Sequence, residues 1–273
     1  MEPSRLAPAL ADLAGMADRA GIITDFDGTL SAIIEDPGEA RALEGVPGVL
    51  AQLARRYRRV AVVSGRPVTF LTDRLGLGNP SLEDADEEKR VAVFGLYGLE
   101  WAGADGVVHT RADAERWRSA VGQAGHQAGD EVGPGVVVEP KGLSLTIHWR
   151  TVPDQERSAQ LVARRLAKDW NLVRHAGRRS VELRPPVEAD KGTAVTSLCR
   201  GLVAACFVGD DRGDLPAFAA LDRLAASSGF FAVKVAVDSA EVPPELLASA
   251  DLVVEGPEGA LAMLASLALL AEQ

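Results

Sequence analysis

The chain has 273 residues, 47% of them hydrophobic and 25% charged, and a net charge of −10. This is the composition of a folded globular protein, with length enough for one large domain or two ordinary ones, and it excludes a disordered chain. The negative balance argues against a nucleic-acid partner, and an anionic small substrate would need local Lys, Arg or metal charge to overcome the general field.

Glu2 and Arg5 come early and no continuous apolar core follows them, so no export signal is read. Leu6, Leu10, Leu13 and Met16 recur at helical spacing and predict a first amphipathic helix. Gly21-Ile22-Ile23-Thr24 reads as a buried strand, ending in Asp25-Phe26-Asp27-Gly28-Thr29-Leu30. Two acids two positions apart point to the same side of an extended backbone. Both ionised in a closed site, they would repel, so Asp25 and Asp27 call for a cation or a shared proton. Ser31 to Gly38 is a mixed segment closed by a turn, and Val46 to Tyr57 is helical. Arg59 to Val63 predicts a second buried strand, followed by Ser64-Gly65-Arg66-Pro67 and a helix to Leu75, for which Ser64 is suited as a cap. Glu83 to Arg90 reads as a solvated loop or helix start, and Val91 to Phe94 as a third strand. That strand ends in Gly95-Leu96-Tyr97-Gly98-Leu99-Glu100-Trp101; over Trp101-Ala102-Gly103-Ala104-Asp105-Gly106 the composition shifts toward glycine and loops, and a domain boundary is placed there.

Residues 105–186 carry a different pattern. A strand at Val107–Thr110 precedes a helix over Asp113–Gln127 and a hairpin of Val136–Glu139 with Leu143–Trp149 around Pro140-Lys141-Gly142. A helix over Asp154–Trp170 and a second hairpin, Leu172–His175 with Ser180–Arg184, follow. This is a compact α+β module with one sheet face exposed, and its two helix–hairpin halves suggest a duplicated unit. Beyond Pro185-Pro186, Lys191-Gly192-Thr193 opens a helix; a lysine there runs against the helix dipole, so helix stability does not explain it. Ala204 to Val208 is a strand ending in Gly209-Asp210-Asp211-Arg212-Gly213-Asp214, whose three acids suit a Mg²⁺ site of oxygen ligands. Cys199 and Cys206 are too few for a disulfide framework or a zinc site and read as buried small side chains. The apolar Ala260–Ala271 run is shorter than the about 20 residues a bilayer span needs, so it reads as a core-packing helix. A cytoplasmic protein with no membrane partner is expected.

The hexapeptide from Asp25 to Leu30, Ser64-Gly65-Arg66, Lys191-Gly192 and Gly209-Asp210-Asp211 resemble, in order, the four signatures of the haloacid dehalogenase (HAD) superfamily of phosphoryl-transfer enzymes. The interval from Asp27 to Ser64 leaves no room for a cap, whereas the one from Ser64 to Lys191 holds the α+β module. That placement resembles the sugar-phosphatase branch with a second-type cap, and within it the trehalose-6-phosphate phosphatase family. The matching pieces include Glu35-Asp36-Pro37, Gly98-Leu99-Glu100, Glu139-Pro140-Lys141 with His148, and Glu182-Leu183-Arg184-Pro185. Two positions depart from the family pattern: Tyr97, where a His or Asn type is usual, and Gly213-Asp214-Leu215, where Thr-Asp-Glu is usual.

The resemblance implies an α/β fold, a Rossmann-like HAD core with a parallel sheet over residues 1–104 and 187–273, and a cap domain over 105–186. It implies Asp25 as nucleophile, Asp27 as acid and base, and Ser64 with Lys191 as an electrostatic clamp. Gly28, Thr29, Gly65 and Arg66 would bind phosphate. Mg²⁺ would be held by the Asp25 carboxylate, the Asp27 backbone carbonyl and Asp210, with Asp211 or Asp214 supporting these from behind. Gly98, Glu139, Lys141 and Glu182 would bind substrate. The implied function is Mg²⁺-dependent hydrolysis of trehalose 6-phosphate through an aspartyl-phosphate, with a small sugar phosphate as substrate and trehalose-6-phosphate synthase as a partner. Alternatives are a phosphatase for a sucrose- or mannosylglycerate-type substrate, or a non-catalytic binding subunit of a trehalose-synthesis complex.

Overall fold

The computed structural model describes residues 8–34, 36–77, 91–102, 107–177, 179–239 and 242–270. Glu35, the Glu83–Arg90 stretch, Gly103 to Gly106, Arg178 in the second hairpin turn, and both chain ends lie outside the described residues. The chain divides into two compact units, one formed by Met1–His109 with Ala189–Gln273 and the other by Thr110–Glu188.

In the first unit, α1 (Pro8–Ala14) leads into β1 (Ala20–Thr24), followed by α2 (Val46–Ala54), β2 (Arg59–Val63), α3 (Val68–Arg74) and β3 (Val91–Gly95). Two short strands follow, β4 (Glu100–Ala102) and β5 (Val108–Thr110). With β10 (Ala204–Gly209), β11 (Phe231–Asp238) and β12 (Leu252–Glu255) from the end of the chain, the sheet among the described residues has eight strands in the order β12-β11-β10-β1-β2-β3-β4-β5. Strands β1, β2 and β3 pair in parallel, as do β1 with β10 and β10 with β11, whereas β4 runs antiparallel to β3. The chain moves outward from β1 in one direction and later from β10 in the other, so the strand order reverses between these two neighbours. Open α/β sheets bind ligands at the carboxyl ends of strands beside such a reversal.

Period-two alternation sorts the strand residues between two layers. Ile22, Val60, Val62 and Cys206 pack with Leu13, Leu50, Leu53 and Leu71 on one face, while Ile23, Ala61, Val63 and Phe207 pack with Val195, Phe218 and Leu221 on the other. Cys199 and Cys206 are unbridged and buried, and burial pushes the Cys199 thiol up to about 12.

The inserted unit has α4 (Ala112–Glu115), α5 (Arg118–Glu131), β6 (Val137–Pro140), β7 (Leu145–His148), α6 (Glu156–Asp169), β8 (Val173–Gly177) and β9 (Ser180–Arg184). Its four-stranded antiparallel sheet has the order β6-β7-β9-β8, with the inner strand of each hairpin at the centre, as a duplicated helix–hairpin unit would arrange them. Leu145, Ile147, Val181 and Leu183 pack against Ala124, Ala128, Ala163 and Leu166 of the two helices.

Two short strands lie differently from the sequence expectation. Val107–Thr110 was assigned to the inserted module, and Glu100–Ala102 to a loop; β4 and β5 instead extend the large sheet. Both have only three residues, too few for a clear alternation, and the stack of Trp101 on His109, 5.5 Å between ring centroids, supplies contact that pattern does not show.

The chain returns through α7 (Lys191–Leu198), β10 (Ala204–Gly209), α8 (Leu215–Ser228), β11 (Phe231–Asp238), α9 (Pro244–Ser249), β12 (Leu252–Glu255) and α10 (Gly256–Leu270). Helix α10 buries Ala260, Met263, Leu264 and Leu267, as its apolar run predicts. Among the described residues no helix is long and apolar enough to cross a membrane.

Candidate active site

The Asp25 N–H donates to the Val208 carbonyl at 2.8 Å, prolonging the β1–β10 ladder by one residue, so Asp25 leaves the strand at its carboxyl edge. The Phe26 carbonyl then accepts from Leu30 at 2.8 Å and Ser31 at 3.0 Å, closing a tight turn. Gly28 holds φ +76° in it, and a β-carbon there would lie 2.0 Å from Asp210 Oδ2, so only glycine lets the turn meet the end of β10.

Helix α7 starts with a reciprocal cap: Thr193 N–H donates to Asp190 Oδ1 at 2.7 Å, and Asp190 N–H to Thr193 Oγ1 at 3.1 Å. Its first residue, Lys191, is buried, with Nζ 2.8 Å from Asp25 Oδ1 and 2.6 Å from Asp214 Oδ1. Two carboxylates thus explain a lysine that the helix dipole disfavours. The other Asp214 oxygen accepts the N–H groups of Asp210 at 2.9 Å and Asp211 at 3.0 Å. Asp214 is fully buried and braces both Lys191 and the loop that carries Asp210.

Burial pushes the Asp25 carboxyl well above its usual range; Lys191 pulls it down, and Asp214, Asp210 and Asp211 push it up again. Asp210 is raised to about 8 by burial and then by Asp214 and Asp211. Asp214 is raised to about 6 by burial against the pull of Lys191. For Lys191, burial acts downward, but Asp214 and Asp25 outweigh it and hold the ammonium firmly charged. One lysine therefore faces three buried acids.

Asp25, Asp210 and Asp214 each offer an oxygen within 4.8 Å of the others. These hard oxygen donors fit a hard divalent cation, which would also let neighbouring carboxylates ionise together. Since both Asp214 oxygens already have partners, Asp25 and Asp210 are the better direct donors and Asp214 their brace. Thr29 Oγ1 lies 3.5 Å from Asp210 Oδ1. Asp211 is not in this group: it is exposed, and its Oδ1 accepts the Gly213 N–H at 2.7 Å, capping the short turn over Arg212–Asp214.

Asp27 is half-buried and gripped by Arg66, whose Nε and Nη2 donate to its two oxygens at 2.8 and 2.9 Å. Arg66, to which the resemblance gives phosphate binding, holds Asp27, and its guanidinium also lies 4.7 Å from the Phe70 ring centroid. Ser64 is buried past the end of β2, with Oγ accepting the Arg66 N–H at 3.2 Å. Gly65 lies between them.

The inserted sheet gathers the other predicted group. Across its strands Glu139 stands opposite Thr146, Thr146 opposite Glu182, and Glu182 opposite His175, so the row shares one face. Lys141 Nζ lies 3.5 Å from Glu139 and 3.9 Å from Glu182, and His148 Nε2 lies 3.0 Å from Glu139 Oε2. Ser144 Oγ donates to Glu182 Oε1 at 2.7 Å, and Arg184 Nε to Glu182 Oε2 at 2.7 Å. Ser144 and Thr146 carry no sequence signal of their own and Arg184 only its place in the Glu182-Leu183-Arg184-Pro185 match, although each is two positions from a row member or within it and so shares its face. Burial, then Arg184, lowers the His175 pKa and favours its neutral form. Gly98 belongs to the other unit: it holds φ +92° in the turn before β4, where a β-carbon would lie 3.3 Å from Ala194 Cβ.

A parallel α/β sheet whose strand reversal carries two acids from β1, a lysine from a helix start and acids after β10 defines a Rossmann-like core of the HAD type, with an α+β insertion. Comparison with known proteins narrows this class. The trehalose-phosphatase profile matches residues 23–82 and 87–249, and the chain belongs to that family. The trehalose-phosphate phosphatase of Mycobacterium avium (strain 104) is 34% identical over 233 residues, 80% of this chain and 56% of that protein. The trehalose-phosphate phosphatase of Mycobacterium leprae (strain TN) is 34% identical over 197 residues, 69% of this chain and 43% of that protein. The chain thus spans about half the length of these relatives. The solved structure of a trehalose-6-phosphate phosphatase related protein shares the fold with a TM-score of 0.74 at 22% identity, covering 93% of this chain and 99% of that one. The C-terminal domain of the C. albicans trehalose-6-phosphate phosphatase gives a TM-score of 0.73 at 22% identity and 97% coverage of both chains.

Proposed function

We propose that the chain is a Mg²⁺-dependent phosphatase that hydrolyses trehalose 6-phosphate to trehalose and phosphate. The observation that carries this reading is the buried set of Asp25, Lys191, Asp210 and Asp214 at the carboxyl ends of β1 and β10. Family membership points the substrate toward trehalose 6-phosphate.

Asp25 attacks phosphorus in line and forms an aspartyl-phosphate as the bond to the sugar oxygen breaks. Asp27 gives its proton to that leaving oxygen and then takes one from the water that cleaves the acyl phosphate. Arg66 fixes the direction of Asp27 through hydrogen bonds to both oxygens, and one of these opens for that oxygen to carry the proton given to the leaving group. Lys191 and the Ser64 hydroxyl balance charge on the phosphoryl oxygens, the contribution on which phosphoryl transfer mostly depends. Asp25, Asp210 and the Asp27 carbonyl would hold Mg²⁺, which would supply positive charge to the transferring group. The inserted unit acts as the cap, and Glu139, Lys141 and Glu182 recognise sugar hydroxyls.

The test is phosphate release with Mg²⁺ from trehalose 6-phosphate, glucose 6-phosphate, sucrose 6-phosphate and a mannosylglycerate phosphate, with Asp25→Asn as control. Turnover of trehalose 6-phosphate well above the others, lost in the variant, is expected. Preference for another sugar would keep the chemistry and overturn the substrate; equal inactivity of both proteins would leave a binding subunit.

A further inference from the structure

The turn from β3 to β4 places Leu96, Tyr97 and Gly98 at φ +48°, +60° and +92°. Left-handed backbone is costly for leucine and tyrosine and persists only where the surroundings over-determine it. Two backbone bonds do so: Leu96 N–H donates to the Arg66 carbonyl and Tyr97 N–H to the Ser64 carbonyl, each at 2.9 Å. These bonds lay the half-buried Tyr97 ring against Gly65, where a β-carbon would stand 2.5 Å from the phenol oxygen. Glycine or asparagine at 97 would form the same turn with less strain. A tyrosine held in this strained turn therefore points to a use for its side chain, on the rim of the loop whose flanking residues are buried Ser64 and the Asp27-binding Arg66.

We propose that the Tyr97 hydroxyl binds the leaving group of the substrate, hydrogen-bonding a sugar hydroxyl beside the ester oxygen, and so takes part in choosing which sugar phosphate is hydrolysed. This inference rests on the phosphatase reading. On that reading Lys191 and Ser64 serve the phosphoryl oxygens, whereas a phenol that both donates and accepts suits a sugar hydroxyl. The aromatic ring also offers an apolar edge to the sugar.

The test compares wild type, Tyr97→Phe and Tyr97→Asn by kcat/KM on trehalose 6-phosphate and by the inhibition constant of orthovanadate, which mimics the phosphoryl group without a leaving group. Loss of the hydroxyl should lower kcat/KM about tenfold, the scale of one lost hydrogen bond, and leave vanadate inhibition within about twofold. Tyr97→Asn should show at least the same kinetic loss with a melting temperature no lower than wild type. Equal losses in both readouts would assign the hydroxyl to the phosphoryl loop and overturn the proposal, as would unchanged kinetics in Tyr97→Phe. Wild type active on a different sugar phosphate would overturn the trehalose reading alone, and the ratio is then measured on that sugar. A wild type inert toward every sugar phosphate would overturn both.

Discussion

At the carboxyl edge of the large sheet, Asp25, Lys191 and Asp214 are nearly sealed from solvent and paired through residues fixed by strand end and helix start. On the inserted sheet Glu182 is buried between Ser144 and Arg184, but its neighbours Glu139, Lys141 and His148, also paired, have side chains that keep contact with water. Sealed charges gain strength from the low dielectric and lose heavily when a partner is removed, whereas wetted ones adapt at small cost. The first arrangement suits chemistry at one fixed phosphorus atom. The second suits recognition of a sugar by many small contacts.

The sharpest way to break this contrast is Lys191→Met. It leaves Asp25 and Asp214 buried without their cation, so it should cost about 3–5 kcal/mol of stability, as breaking a buried ion pair does. Phosphate release should fall by about 10²–10³ or more. Urea denaturation and steady-state kinetics measure both, and a stability change below about 1 kcal/mol would mean that the acids are neutral without Lys191.

Next comes the cation. Asp210 is raised to about 8 and Asp214 to about 6 by burial. In the native state these groups hold protons that the unfolded chain has released above about pH 4, so native binds more protons than unfolded through this window. Stability of EDTA-treated protein should therefore fall as pH rises from 5 to 8, and Mg²⁺ should restore more melting temperature at pH 8 than at pH 5. Each kcal/mol corresponds to roughly 2–4 °C at this size. A Mg²⁺ effect independent of pH would detach the cation from these acids.

These results also bear on what could be read from residues alone. Strands β1, β2 and β10 are legible because parallel buried strands are apolar on both faces and end abruptly in Asp25, Ser64 and Asp210. The role of Asp214 is less so. Three acids follow β10, and only the short turn over Arg212–Asp214 decides that Asp214 points inward and Asp211 outward. The grip of Arg66 on Asp27 joins two separate strand ends, and no periodicity reports which of several nearby anions a guanidinium will choose. Glu139, Lys141 and Glu182 are named only by the resemblance, and the row linking Glu139, Thr146 and Glu182 depends on one hairpin register and on the pairing between the two hairpins, neither of which the residues alone report.

On the wetted side, Glu139→Gln removes a charge facing His148 and Lys141. Its stability cost should stay below about 1 kcal/mol because the group is partly exposed. KM for trehalose 6-phosphate should rise about tenfold with kcat little changed, the mark of lost substrate binding without lost chemistry. A fall in kcat with KM unchanged would move Glu139 to the chemical step and erase the division between the two clusters.

The smallest effect tests how the sealed cluster is held. Asp190 caps α7 by accepting the Thr193 N–H, one residue before Lys191. Asp190→Ala should cost about 1 kcal/mol, the usual worth of such a cap, seen as roughly 2–4 °C in melting temperature. If the helix start alone positions Lys191, fraying there would move the ammonium and kcat would fall steeply. Lys191 is also anchored from beyond its helix by Asp25 and Asp214, at 2.8 and 2.6 Å. Those ion pairs should keep kcat within about threefold of wild type, because buried paired charges resist displacement more than a helix terminus does. A drop far beyond that would show that the cap, rather than the carboxylates, sets the geometry of the site.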